Sequence, residues 1–167
     1  METIEYKFAE TLKSSSLSLK QRQVLMSSLK LFSEIGFENT TSHLIAEHAG
    51  VSEGTVFSYF KTKEGILDAI LSTFLEQVIP EVIADFSDKR FTIEQKSFSL
   101  FLRSIVRDRF VFIRNNKMQV KILLSRSLID KTISEELGNI IVHSIINPIT
   151  PVLNQFKKNG VIRDWSN

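Results

Sequence analysis

The feature that most constrains this chain is a glycine. Gly50 stands between two short segments, S-H-L-I-A-E-H-A at 42–49 and E-G-T-V-F-S-Y-F at 53–60. Each carries apolar residues at helical spacing. Each follows a hydroxyl side chain able to cap it, Thr41 or Ser42 for the first and Ser52 for the second. Glycine takes a positive φ without steric cost, so the chain turns sharply at Gly50. Ala46, four residues earlier, keeps the first segment slim where the second must pack. Val51 plugs the angle between them, and Val51 and Val56 both point inward. The stretch reads as two short helices joined by a tight turn.

That arrangement is a helix-turn-helix, whose second helix can enter the major groove of DNA. A plain helical hairpin shares the glycine and the apolar pattern, so a helical protein-interaction or adaptor module remains open on these features alone. The flanks add L-K-L-F-S-E-I-G-F at 29–37, T-T at 40–41, I-A-E-H-A-G-V-S-E-G-T-V-F-S-Y-F at 45–60 and K-T-K-E-G-I-L at 61–67. With these phrases the chain from Val24 to Leu67, about a quarter of its length, resembles the TetR family of bacterial transcriptional regulators. Phe57 stands where the family usually has Tyr, which removes a hydroxyl, and Ser27 and Ser28 replace a usual alanine pair.

The resemblance implies DNA contacts from Thr41, Ser42, Ser52, Gly54, Thr55, Phe57, Tyr59 and Lys63. Each has a chemical reason. Gly54 lets a helix backbone approach the duplex, and Thr55 offers a hydroxyl for a base edge or phosphate and a methyl for a thymine methyl. Tyr59 can donate to a phosphate. Lys63 opens the following helix, where backbone N–H groups and the ammonium favour an anion. Such contacts chiefly position the protein, and a few read sequence. The plainer roles are core for Phe60, capping alone for Thr41 and Ser52, and surface for His43 and His48. The resemblance also implies a ligand-released repressor that binds a near-palindromic double-stranded operator as a homodimer, with a small hydrophobic effector.

Composition bounds the alternatives. The absence of cysteine excludes disulfides, thiol catalysis and cysteine metal sites. The three His, at 43, 48 and 143, show no metal-ligand spacing, so neither a metal nor a cofactor is expected, nor an enzyme. No apolar run approaches the roughly 20 residues that cross a bilayer. The acidic start M-E-T-I-E-Y lacks the build of a signal peptide, which points to the cytoplasm. Residues 1–65 hold seven Lys or Arg against eight Asp or Glu. DNA affinity would therefore rest on local placement of Lys20, Arg22, Lys61 and Lys63, with little help from an overall field.

The fold class expected is all-α: an N-terminal three-helix bundle with the helix-turn-helix, then a C-terminal helical bundle. Residues 1–18 form an N-terminal extension in which Ile4, Phe8 and Leu12 recur every four residues, a short amphipathic helix that either packs on the body, as its acidic start favours, or reaches a groove. Residues 19–62 form the DNA-binding domain, whose first helix opens with a Ser18–Gln21 capping box and ends at Gly36. Residues 63–167 form the effector and dimerisation domain. It is expected to lack the last two helices usual in the family, because the chain stops at Asn167.

Within that domain, Pro80 should kink or break a long helix near 76–80, and S-D-K-R at 87–90 should be a loop. Thr92 and Gln95 should open the next helix, Asn115 and Asn116 end it, and Ser134 cap a last segment interrupted by Pro148 and Pro151. Candidate ligand-lining residues are Phe74, Phe98, Phe101, Phe110, Phe112, Met118 and His143, since pockets between helices are favoured ligand sites. A phenylalanine stripe at helical spacing is more often a plain core. Arg103, Arg107, Arg114 and Lys121 recur at intervals of four and seven and read as a solvated face, with an acidic effector or partner as the minority alternative.

Overall fold

The computed structural model describes residues 3–91 and 97–163, and among these it is all helical, as expected. Helix α1 (Ile4–Ser14) is capped by the Thr3 side chain and buries Ile4, Phe8 and Leu12 against the body. Phe8 is fully buried and meets the Phe74 ring edge-on at 5.2 Å. The extension is thus part of the core. Its first turn is tied down twice. The Ile4 N–H donates to Asn116 Oδ1 at 2.7 Å, and Lys7 pairs with Glu81 at 2.7 Å.

Helix α2 (Leu19–Glu34) opens with the Ser18–Gln21 capping box and buries Val24, Leu25, Leu29 and Phe32. Gly36 follows at φ +85, and Phe37 folds back onto the Phe32 ring at 5.1 Å. Helices α3 (Ser42–Ala49) and α4 (Glu53–Phe60) follow, then α5 (Lys63–Thr73).

The interruption expected near residues 76–80 takes the form of a change of helix type. Between α5 and α6 (Ile79–Arg90) lies a π-helical turn, Phe74–Val78, in which the Ile79 N–H reaches back five residues to the Phe74 carbonyl. Pro80 then falls at the start of α6, where its missing N–H and ring are accommodated. The same device recurs. A second π-helical turn, Val142–Ile146, joins α9 (Lys131–Ile141) to α10 (Asn147–Lys158), and Pro148 follows it at the start of α10. Neither proline breaks its rod, and Pro151 is carried inside α10.

Other expectations are corrected. Residues 87–90 are helical, the last turn of α6, because Ser87 is buried and its hydroxyl donates to the Ser144 carbonyl in the second π-helical turn. A Lys89–Asp85 pair, 2.6 Å apart, supports the same turn. Asp130, not Ser134, caps α9, accepting from the Thr132 and Ile133 N–H groups. The capping box proposed for Thr92 and Gln95 lies outside the described residues, and Ser97 caps α7 (Phe98–Asn115). Asn116 ends α7 and precedes α8 (Lys117–Ser127), as expected, but it is also buried, with its amide divided between Ile4 and the Phe112 carbonyl.

One large core links α1, α2, the helix-turn-helix, α5, α6 and α8 through residues such as Val24, Ile45, Ile66, Phe74 and Leu123. A smaller cluster, Phe101, Val152 and Phe156, joins α7 to α10.

Candidate nucleic-acid interface

The turn between α3 and α4 is built as its residues dictate. Gly50 adopts φ +66 and its N–H reaches the carbonyls of Ala46 and Glu47, while the Val51 N–H bonds the Ala46 carbonyl at 3.0 Å. Ile45, Ala46 and Ala49 are buried beneath it, and Val56 alone of α4 is fully inside. His48 Nδ1 lies 3.1 Å from Ser27 Oγ, which fixes α3 to α2 through one of the two serines that replace alanine. Thr40 closes the preceding loop by donating to the Gly36 carbonyl at 2.8 Å.

Both helix starts are capped from the side. Thr41 accepts from the Leu44 N–H and Ser52 from the Thr55 N–H, each at 3.2 Å. The Ser52 and Thr55 hydroxyls are 2.8 Å apart, so they form one polar point on the surface. The two starts are also close to each other, with His43 Nδ1 3.8 Å from Glu53 Oε2. Phe57 is 48% exposed and Tyr59 39% exposed, unusual for aromatics on so short a helix. A Cβ at Gly54 would meet nothing nearer than Ser52 Oγ at 4.0 Å. No packing within the chain therefore calls for glycine there, although glycine costs a helix about 1 kcal/mol relative to alanine.

Of the eight residues named from sequence, Thr41, Ser52, Gly54, Phe57 and Tyr59 are exposed, and Ser42 and Thr55 are half-buried. Lys63 departs from that set. Its Nζ donates to the Phe37 carbonyl at 2.8 Å and lies 4.3 Å from the Phe37 ring centroid, so one of its three N–H donors is engaged inside the chain. Ser58 and Lys61 are exposed as well; Lys61 was named from sequence as a local cation, while Ser58 was not named. Ser58 follows Gly54 at helical spacing, a signal present in the sequence. Lys61 has φ 65 and ψ −49, and the Thr62 N–H bonds the Phe60 carbonyl at 2.7 Å. This is a γ-turn of the strained hand, which nothing in the sequence announces.

The proposed ligand-lining residues do not converge. Phe74 is fully buried against Phe8, where it serves as core, and Phe110 is 73% exposed and faces solvent. Phe98 and Phe101 pack on Phe156 in the smaller cluster. Phe112 stacks under the Arg109 guanidinium at 4.8 Å, and His143 is exposed beside Asn147. Met118 lines a cleft. Helical spacing told for only some of these residues that the side chain turns inward, and for none of them against which neighbour. Among the described residues no group of His, Asp and Glu could hold a metal, and no helix is long and apolar enough to cross a membrane.

Comparison with known proteins bears on this geometry. Residues 24–70 match the family described as bacterial regulatory proteins, tetR family. The HTH-type transcriptional regulator YhgD of Bacillus subtilis, itself uncharacterized, is 26% identical over 148 residues, covering 86% of this chain and 72% of that protein. The HTH-type transcriptional regulator BetI of Escherichia coli is 31% identical over 93 residues, 56% of this chain, and the match spans 46% of BetI's own length. A crystal structure assigned to the TetR-family transcriptional regulators, from Mesorhizobium loti, superposes with a TM-score of 0.59 at 15% identity over 84% of this chain and 69% of its own. That likeness is one of fold.

Proposed function

The chain belongs to the TetR family of bacterial regulatory proteins and is a DNA-binding transcriptional regulator, and from that premise we propose that it is a ligand-released repressor, binding a near-palindromic operator as a homodimer. The reading rests on α4. This helix buries only Val56 fully and presents Gly54, Phe57, Ser58 and Tyr59 outward. Its glycine answers no internal contact, and the approach of a DNA backbone from outside supplies the missing reason. Ser52 and Thr55 would meet a phosphate or a base edge through their joined hydroxyls. Thr41 and Ser42 would meet the backbone at the start of α3, and Phe57 a thymine methyl. Lys61 is the exposed cation beside this surface. Lys63 would act by holding Phe37 and the start of α5.

In a two-fold dimer the half-sites fall about one helical turn of DNA apart, or a multiple of it. An effector that tilts the rod from α5 to α6 would change the separation of the two α4 helices and release the operator. The test is selection of bound fragments from random DNA, followed by titration of the selected duplex at several salt concentrations. The repressor reading expects an inverted-repeat site, two chains per duplex and an affinity that falls steeply with salt. An adaptor module would show no salt-dependent DNA affinity at all.

A further inference from the structure

We propose that the cleft between the C-terminal end of α2 and helix α8 binds a small anionic amphiphile, a carboxylate with a short apolar tail, and that Phe37 reports its occupancy to the DNA-binding domain. The cleft has a volume of about 330 Å³, at the lower end of the range that holds small ligands. Its apolar floor comes from Phe32, Leu67, Met118 and Ile122. Its charge comes from α8, where Lys121 and Arg126 face a single carboxylate, Glu34. Among the described residues neither cation is ion-paired. Apolar floor and net positive rim together select an anion with a tail over a neutral or cationic molecule.

The route to the DNA-binding domain is short. The Arg126 guanidinium lies 5.0 Å from the Phe37 ring centroid, and Lys63 holds both that ring and the Phe37 carbonyl. Phe37 is therefore held between α8 and the first residue of α5, which directly follows α4. A carboxylate that draws Arg126 toward itself removes one of the two cations from Phe37 and loosens the junction that sets the pose of α4. Binding at the cleft stands by itself; the effect on DNA rests on the repressor reading.

The experiment is calorimetric titration of the full chain with octanoate, octan-1-ol and octylammonium. Octanoate is expected to saturate one site per chain, with the other two at least tenfold weaker. The double variant K121Q/R126Q should lose at least tenfold in octanoate affinity, and Met118→Trp, which fills the cleft, should abolish it. If Met118→Trp melts far below the parent, Ser125→Trp at the exposed rim takes its place. Equal binding of octylammonium, octanoate binding untouched by a cleft-filling tryptophan, or no saturable binding would each overturn the site. Octanoate should also weaken the selected duplex at least fivefold, and unchanged DNA affinity with the cleft occupied would overturn the coupling. A chain that binds no DNA under any condition defeats the repressor reading, while the calorimetry still decides the cleft.

Discussion

A Cβ placed on Gly65 would lie 2.3 Å from the carbonyl oxygen of Phe60. The last turn of α4 and the first turn of α5 therefore approach to a separation that only a hydrogen permits. The same Phe60 carbonyl accepts the Thr62 N–H across the γ-turn at Lys61, so it cannot swing aside. Gly65→Ala should force the two helices apart at a cost of roughly 1–3 kcal/mol, the scale of overpacking. A lowered melting temperature together with weakened DNA binding is the expected pair of results. Full stability in Gly65→Ala would show that the junction yields.

Thr55 separates capping from recognition. Thr55→Val keeps the shape and the backbone N–H that Ser52 accepts, but removes the hydroxyl that meets Ser52 Oγ at 2.8 Å. An exposed hydroxyl pair contributes little to folding, so stability should move by less than about 1 kcal/mol. On the repressor reading the preferred operator should change, because a base-edge or phosphate donor is lost, while the salt slope stays close to that of the parent. Competition titrations with single-base variants of the selected duplex measure both. A Thr55→Val protein with parental affinity for every variant removes Thr55 from the reading surface.

Lys63 offers a sharper contrast. If its ammonium contacted phosphate, Lys63→Ala would reduce the slope of log K against log salt by about one. The structure has that ammonium on the Phe37 carbonyl and ring instead. The expected result is therefore an unchanged slope with a loss of stability of about 1 kcal/mol, the worth of a typical hydrogen bond, or somewhat more because the donor is charged. Lys61→Ala should instead reduce the slope. Salt titrations of the two variants side by side settle the roles.

The sequence made the helix-turn-helix legible because its determinants are local. Ser18 with Gln21, Thr41, Gly50 and Ser52 each act within a few residues, and each appears in the structure as a cap or a turn. The errors arose where the deciding partner is distant. Ser87 is held in a helix by the carbonyl of Ser144, 57 residues on. The contact of Lys63 with Phe37, 26 residues back, was likewise beyond the reach of local spacing. Pro80 was read as a kink or break and Pro148 as an interruption; the π-helical turn that makes room for each leaves no mark in apolar periodicity. The phenylalanines were correctly read as mostly inward-facing, but Phe74 and Phe101 belong to different clusters, which no one-dimensional spacing reveals.

The N-terminal helix invites a stability test. Phe8 is fully buried on Phe74, and removal of such a ring costs about 3–5 kcal/mol. For a chain of this size, each kcal/mol shifts the melting temperature by roughly 2–4 °C. Phe8→Ala should therefore melt some ten degrees or more below the parent, on the order of the product of those two figures. Thermal denaturation followed by circular dichroism measures it. A shift within two or so degrees would mean that α1 docks only loosely.

Asn116 tests how α1 is anchored, independently of its apolar face. Its side chain is almost wholly buried, accepts from the Ile4 N–H at 2.7 Å and donates to the Phe112 carbonyl at 2.9 Å. Asn116→Leu keeps the volume but leaves the Ile4 N–H without an acceptor in a buried place, a cost of about 1–3 kcal/mol. Asn116→Asp retains the acceptor and should keep the Ile4 bond, while it loses the donor to Phe112. The distinguishing measurement is hydrogen exchange. In Asn116→Leu the amides of the first turn of α1 should exchange faster than in the parent by more than the global stability change explains, because the loss is local. In Asn116→Asp the extra exchange should appear at the end of α7 instead. Uniform acceleration across both helices in both variants would mean that Asn116 acts through packing alone, and that the extension is held by Phe8 and its apolar neighbours.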